Sequence, residues 1–372
     1  MKKIIFIISI LWICNQIISQ EARNEIKIPD IMGYYTLKGD FHIHTVFSDG
    51  KVWPDVRVTE AWMEGLDAIA ITEHIEYPNK LLPPDKNMSY NLALDEARKR
   101  NIILIKGAEI TRKLPEECGH MNALFLTDIN KLNLTDFRDA IKEASNQGAF
   151  IFWNHPGWYA QQPDTTLWFD VFSELQKNNM LHGIEVVNWK RWFPEALPWC
   201  LEKNLTLMAN SDIHEPIGFT YNFEKGEHRP ITLIFAKEKT QEGIKDALMS
   251  HRTVAWFKRG FYNELWGREE FLKELFLQSI DNEVISNSDK SLNIFMVNKS
   301  DLDFQLLKRN SDTRVNYRKN YFLNGSTREE INIVKVKPIE NKDIVLHFVI
   351  ENLISDNHQP IKIDIPLNKY LK

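Results

Sequence analysis

The chain has 372 residues, of which 43% are hydrophobic and 26% charged, with a formal net charge of -5. That length allows one large domain and a smaller one, and the composition is that of a folded protein without low-complexity tracts. An acidic balance offers no clustered basic surface to a phosphate backbone, which argues against long nucleic acid as a partner.

The first residues, MKKIIFIISILWICNQIISQE, place two lysines before an apolar run from Ile4 to Cys14, with Ser19 before Gln20. This is the pattern of a secretory signal, and the run is shorter than the roughly 20 residues of a membrane span. Residues 1–19 are therefore expected to be a signal peptide, and the protein to be exported to the periplasm or the cell exterior without stable membrane insertion. A retained anchor is the alternative, since Ile17 stands at the -3 position. The two cysteines that then remain, Cys118 and Cys200, make no disulfide framework and are expected as buried free thiols.

The stretch KGDFHIHTVFSDG follows, with Asp40, His42 and His44 at every second position. In a strand, alternate residues share a face, so three metal-binding side chains would project together, opposite Phe41 and Ile43. From here to about residue 260, short apolar runs alternate with amphipathic segments. The runs are LDAIAIT (66–72), IILIKGAEI (102–110), MNALFL (121–126), AFIFWN (149–154), GIEVVN (183–188), LTLMAN (205–210) and ITLIFA (231–236). Between them, Pro54 opens a predicted helix over 54–65, and a second over 134–148 has Thr135 as its cap and Gly148 as its close.

Strict alternation of strand and helix predicts a mostly parallel sheet, and seven or eight repeats predict a barrel with its chemistry at the C-terminal strand ends. Polar residues fall there: Glu73 and His74 after IAIT, Glu109 after LIKGA, His155 after FIFWN, Asp212 and His214 after LMANS. Glu185 lies inside GIEVVN. His120 opens its segment instead of closing it, so that strand should run differently from its neighbours. Of the seven histidines between residues 40 and 214, only His182 falls elsewhere.

A helical stretch, FYNELWGREEFLKELFLQSI (261–280), leads to period-two segments such as SLNIFMVNKS and DIVLHFVIENL, separated by Asn, Asp, Gly and Ser turns. These predict a small β-sandwich-like C-terminal domain, 281–372, behind a barrel domain, 20–280. Deleting residues 285–372 is expected to leave the barrel strands and ligands intact, with reduced solubility or an altered substrate range and retained metal binding. His347 and His358 have no carboxylate at ligand spacing and are read as structural or exposed.

Nine candidates emerge: His42, His44, Asp49, His74, Glu109, His120, His155, Asp212 and His214. Imidazole and carboxylate without thiolate suit Zn, Mn or Fe, and nine ligands are too many for one ion. DFHIHTVFSDG, ITEH, GAEIT followed by GHMNA, NHPG and NSDIH occur in order over residues 38 to about 256. This series resembles the motifs of the PHP family, the polymerase and histidinol phosphatase superfamily of metal-dependent phosphoesterases.

The resemblance implies a distorted (β/α)7 barrel, α/β in class, holding two to three divalent transition metal ions. His42, His44, Glu109 and Asp212 would bind one ion, with Glu109 bridging to a second held by His120 and His155, and Asp49, His74 and His214 would hold a third. Glu109, Asp212 and His155 would be catalytic. Glu73 stands where the family usually has Asp, and is read as a support behind the ligands. Two such ions, about 3.5 to 4 Å apart, can aim a bridging hydroxide at phosphorus.

Arg112, Lys190 and Arg252, each beside a strand end, are candidates to contact the phosphoryl oxygens of a small phosphate ester. Trp158, Trp189 and Trp192 fall near the same rim. Signal, barrel and β-rich tail look most like an exported phosphodiesterase subgroup, and scattered basic residues beside aromatics favour diesters. The alternatives are a phosphomonoesterase, an amidohydrolase-type enzyme and a non-catalytic secreted binding protein. An amidohydrolase would lack the SDG aspartate, the ITEH histidine and the terminal Asp-x-His.

Overall fold

The computed structural model describes residues 22–259, 262–309, 312–340, 343–355 and 358–367. The expected signal peptide, 1–19, lies outside them. Seven strands make the barrel wall: β1 (Tyr35–Asp40), β2 (Ala68–Ile71), β3 (Ile103–Thr111), β4 (His120–Leu124), β5 (Phe150–Trp153), β6 (Gly183–Asn188) and, after the two-residue β7 (Arg191–Trp192), β8 (Thr206–Asn210). Pairing is parallel from β1 through β3 and again among β5, β6 and β8. As His120 at its start foretold, β4 runs antiparallel to both β3 and β5. The ring closes where Ile43 bridges Ile213, with the Asp212 N–H donating to the His42 carbonyl at 2.8 Å.

Helices α1 (Pro54–Met63), α2 (Met88–Arg100), α3 (Phe137–Asn146), α4 (Asp170–Lys177) and α5 (Ala196–Glu202) connect these strands. Pro54 occupies the first turn of α1, where its missing N–H costs nothing. At α3 the cap is Asp136, not Thr135: the Asp136 carboxylate accepts from the Arg138 N–H, and a carboxylate suits the positive helix start better than a hydroxyl. Gly148 follows α3 with a left-handed φ of 73°, closing it as expected.

Short α6 (Ile217–Thr220) leads to β9 (Ile231–Ala236), which runs antiparallel to β1. After α7 (Gln241–Met249), β10 (Thr253–Arg259) pairs antiparallel with β9. The predicted helix over 261–280 is half right. Residues Tyr262–Gly267 form β11, antiparallel to β10, and only Glu269–Ser279 coil into α8. The edge of β10 supplies backbone partners that local helix propensity cannot match.

Beyond α8, strands β12 (Ile280–Asn287), β13 (Ser291–Asn298), β14 (Phe304–Lys308), β15 (Val315–Asn316), β16 (Asn320–Leu323), β17 (Arg328–Lys335), β18 (Val345–Ile354) and β19 (Pro360–Pro366) make two sheets. One orders β12-β13-β17-β15; the other groups β14, β16, β18 and β19. Alternate residues of β13 are buried, the half-covered pattern the sequence shows. The second sheet is continuous with the barrel, because β18 pairs in parallel with β11.

The apolar core crosses the same seam, joining Ile69, Leu233 and Trp256 to Leu292, Ile294, Phe304 and Phe348 in one cluster. This revises the expectation of a separable tail. Deleting 285–372 strips partners from β11 and uncovers barrel core, so the truncated chain is expected to aggregate on expression; a soluble, monomeric product by gel filtration would contradict this.

Cys118 and Cys200 are free and buried. His347 pairs with Asp364 at 2.7 Å and His358 is exposed. Among the described residues, no helix is long and apolar enough to cross a membrane.

Candidate metal centre

The nine candidate ligands converge at one end of the barrel. His42 and His44 follow β1, His74 follows β2, Glu109 lies near the end of β3, His155 follows β5 and Asp212 and His214 follow β8. The reversed β4 brings His120 to the same end. Their ligand atoms gather in three groups, each within 4.8 Å: His42, His44 and Glu109; Glu109, His120 and His155; and His44, Asp49, His74 and His214. Asp212 joins the first, its Oδ1 3.2 Å from Nε2 of both His42 and His44.

Glu109 stands at the middle and is fully buried. Its Oε1 lies 2.9 Å from His120 Nδ1 and accepts from Asn154 Nδ2 at 2.9 Å. Its Oε2 faces three imidazoles, His74 at 2.8, His44 at 3.3 and His42 at 3.5 Å, yet among the described residues no hydrogen bond of acceptable geometry reaches it. A buried carboxylate oxygen left in that state needs another partner.

Imidazole orientation points the same way. His42 Nδ1 is 2.9 Å from Glu185 Oε1, a contact that makes Nδ1 the N–H donor and, in the neutral ring that a metal would bind, leaves Nε2 as a lone pair. That lone pair points at His44 Nε2, 3.1 Å away. Two such nitrogens among carboxylates suit a shared cation, and a carboxylate behind the histidine is the usual way to fix a metal ligand's tautomer. Divalent ions of borderline or hard character fit this nitrogen and oxygen set.

Charge in the site is mutual. Burial would lower the His74 pKa, but Glu109 and Asp49 hold it up at about 11. Burial likewise opposes charge on His42, and Asp212, Glu185 and Glu109 outweigh it and raise its pKa well above the usual range. Desolvation would raise the Glu109 carboxyl, yet His74, His42 and His120 hold it well below the ordinary value. Protons here stand where cations would, and a metal ion would displace them.

Two of the candidate ligands, His155 (φ 28°) and Asp212 (φ 52°), adopt left-handed backbone. Neighbouring groups pin both: the His155 N–H donates to Glu185 Oε2 at 2.7 Å, and the Asp212 N–H is held by His42.

The flanking residues sort differently from their sequence reading. Asp40, in register with His42 and His44, belongs to another cluster: it accepts from Arg229 Nη1 at 2.9 Å and from the Ser211 N–H at 3.0 Å. Strand β1 ends at Asp40, so the strict alternation stops there. Glu73 turns from the ligands and accepts from the Thr45 N–H and the Thr45 and Ser48 hydroxyls, tying down the loop that carries Asp49.

None of the three expected substrate cations lines the metal pocket. Arg112 is spent on Glu76 at 3.1 Å and the Leu134 carbonyl at 2.8 Å. Arg252 binds the Phe235 carbonyl and Asp246 at the opposite barrel mouth, since β9 runs against β1 and places Ala236 beside Tyr35. Lys190 pairs with Glu227 at 3.4 Å and lines a neighbouring cavity with Trp192. The pocket over the ligands, about 450 Å³, is instead walled by Trp158, Tyr159, Trp189, Phe193 and Arg191.

Three asparagines join the site beyond the nine candidates. Asn154, Asn188 and Asn210 each end an apolar run, and each donates to a site carboxylate: Asn154 to Glu109, Asn188 and Asn210 to Glu185 at 2.8 and 2.9 Å. The signal was the recurrence of Asn at three successive strand ends.

Residues 40–281 match the family described as PHP domain. A two-domain protein of Bacteroides vulgatus, described as containing a predicted PHP-like metal-dependent phosphoesterase, is similar over 93% of this chain and 99% of its own, with 46% identity and a TM-score of 0.88. An uncharacterised protein of Methanocaldococcus jannaschii is 29% identical over 194 residues, 48% of this chain and 83% of that one.

Proposed function

Since the chain belongs to the PHP domain family, we propose that it is a metal-dependent phosphoesterase, binding two to three divalent transition metal ions and hydrolysing small phosphodiesters outside the cytoplasm. The observation that carries this reading is the Glu109 carboxylate, whose two oxygens face separate histidine groups and whose Oε2 has no hydrogen bond among the described residues. When bound, ions at these groups supply Lewis acidity to the phosphoryl oxygens and lower the pKa of water, so that hydrolysis runs near neutral pH.

The chain's own residues do the rest. Glu109 and Asp212 hold negative charge where it offsets the repulsion between neighbouring cations. Glu185 locks His42 in the tautomer that presents Nε2 and fixes the His155 backbone. His155 and His120 flank the pocket floor, their rings 4.9 Å apart. The pocket volume suits a small molecule.

Preference for a diester is supported by what the wall carries among the described residues, one arginine beside three exposed or half-buried rings. A monoester dianion calls for more cationic donors around its terminal oxygens, whereas a diester has one charge and two organic arms. Export is supported by the Lys2-Lys3 pair and the apolar run that follows.

Steady-state rates with Mn and Zn on bis-aryl phosphates against the matching monoesters test the reading. Higher kcat/KM on the diester is expected. A hundredfold preference for monoesters would reverse the substrate ranking, and turnover of a lactone or amide above both would overturn the reaction class.

A further inference from the structure

The segment VNWKRW turns back on itself at the pocket mouth. Val187 pairs with Trp192 and Asn188 with Arg191, so Trp189 and Lys190 form a two-residue hairpin turn. Trp189 holds a left-handed backbone, φ 53°, a conformation that asparagine and glycine fill easily and a large aromatic residue rarely adopts. Its N–H donates to the Asn210 carbonyl at 3.1 Å, which anchors the turn to β8. The ring is nevertheless 45% exposed, so it is not held there by core packing.

Alternation along the hairpin divides its side chains between two cavities. Trp189 and Arg191 face the metal pocket; Lys190 and Trp192 face the neighbouring cavity of about 200 Å³, which Trp189 also borders. Among the described residues, Arg191 is the one arginine or lysine on the metal-pocket wall. Its guanidinium lies over the Tyr159 ring, 5.0 Å from the centroid, and among the described residues no carboxylate pairs with it. Other cations nearby are occupied, Lys190 by Glu227 and Lys51 by Glu215. An unpaired guanidinium resting on a ring keeps its N–H edge free for a ligand oxygen.

We propose that this hairpin selects the substrate: Arg191 binds an anionic phosphoryl oxygen, and Trp189 with Tyr159 receives a planar aromatic arm of the diester. The inference rests on the phosphodiesterase reading and narrows it to diesters with at least one aryl or heteroaromatic arm. The phosphoryl charge is common to every ester, so Arg191 sets affinity. The ring is particular to some, so Trp189 sets choice.

The test compares bis-p-nitrophenyl phosphate with methyl p-nitrophenyl phosphate, which share a leaving group and differ in the retained arm, using the metal-loaded full chain. Wild type is expected to favour the aryl arm about tenfold in kcat/KM, a ratio typical of one well-placed stacking contact. Trp189→Asn, which suits the left-handed backbone and so preserves the turn, should bring that ratio near unity through KM, and Trp189→Phe should retain part of it. Arg191→Ala should raise KM for both substrates about tenfold with metal content unchanged, and Arg191→Lys should recover part.

Calorimetric binding of diphenyl phosphate supplies a readout apart from turnover, expected to weaken about tenfold in Trp189→Asn and in Arg191→Ala. If wild type cleaves diesters but shows no aryl preference, or if both variants keep wild-type KM and diphenyl phosphate affinity, the hairpin assignment is wrong while the phosphodiesterase reading stands. If wild type with metal cleaves no phosphate ester, both fall together.

Discussion

Glu109→Gln is expected to lower turnover by on the order of a thousandfold or more, equivalent to about 4 kcal/mol of barrier, and to leave the purified protein short of metal. The substitution keeps size and shape, so packing around the fully buried side chain should survive. What it removes is the charge that faces His42, His44 and His74 on one oxygen and His120 on the other. The amide puts an N–H where one of those oxygens stood, and two cations beside it would repel with little to offset them.

Glu185→Gln makes the informative companion. It touches the tautomer of His42 and the His155 backbone without itself belonging to any ligand group. Loss of metal affinity by roughly 10–100-fold, milder than for Glu109, is the expected result. Near wild-type turnover and metal content in Glu109→Gln would mean that the ligand assignment is mistaken.

The second large effect concerns folding. Arg229 is 1% exposed and joins Asp40 of β1, at 2.9 Å, to Glu64 at the end of α1, whose Oε2 accepts from Arg229 Nε at 3.0 Å. Burial would lower the guanidinium pKa, and Glu64 and Asp40 outweigh it and hold it raised. Arg229→Met therefore strands two buried carboxylates and is expected to cost about 3–5 kcal/mol. Neutralising them in Arg229→Met/Asp40→Asn/Glu64→Gln should restore part of that loss, because the damage lies in uncompensated charge more than in lost volume. Denaturant unfolding measures both; a single variant within about 1 kcal/mol of wild type would remove the buried triad from the account of stability.

How much of this was visible in the sequence depends on the range of the interaction. The convergence of the candidate ligands was legible because barrel geometry repeats: apolar runs ending in His, Glu or Asp predict one shared mouth, and all nine residues reach it. Asp40 shows the limit of that logic. It has the right spacing beside His42, yet its charge is claimed by Arg229, 189 residues away, and no local pattern announces such a partner.

The three basic candidates failed for a related reason. Nearness to a strand end says nothing about which mouth of the barrel that end faces or which carboxylate lies across from it. Arg252 sits at the wrong mouth, and Arg112 and Lys190 are already paired. Residues 262–267 looked helical beside the amphipathic 269–279 and became strand because β10 and β18 flank them, a contact reaching nearly 90 residues ahead. The same contact joins the tail, whose period-two strands were plain, to the barrel sheet.

A polynuclear centre organised around Glu109 is decided by elemental analysis of the full chain, purified without chelator and reconstituted with Mn or Zn. Two or more equivalents of metal per chain are expected, at least one for each histidine group that Glu109 joins. One equivalent or none after reconstitution would contradict it.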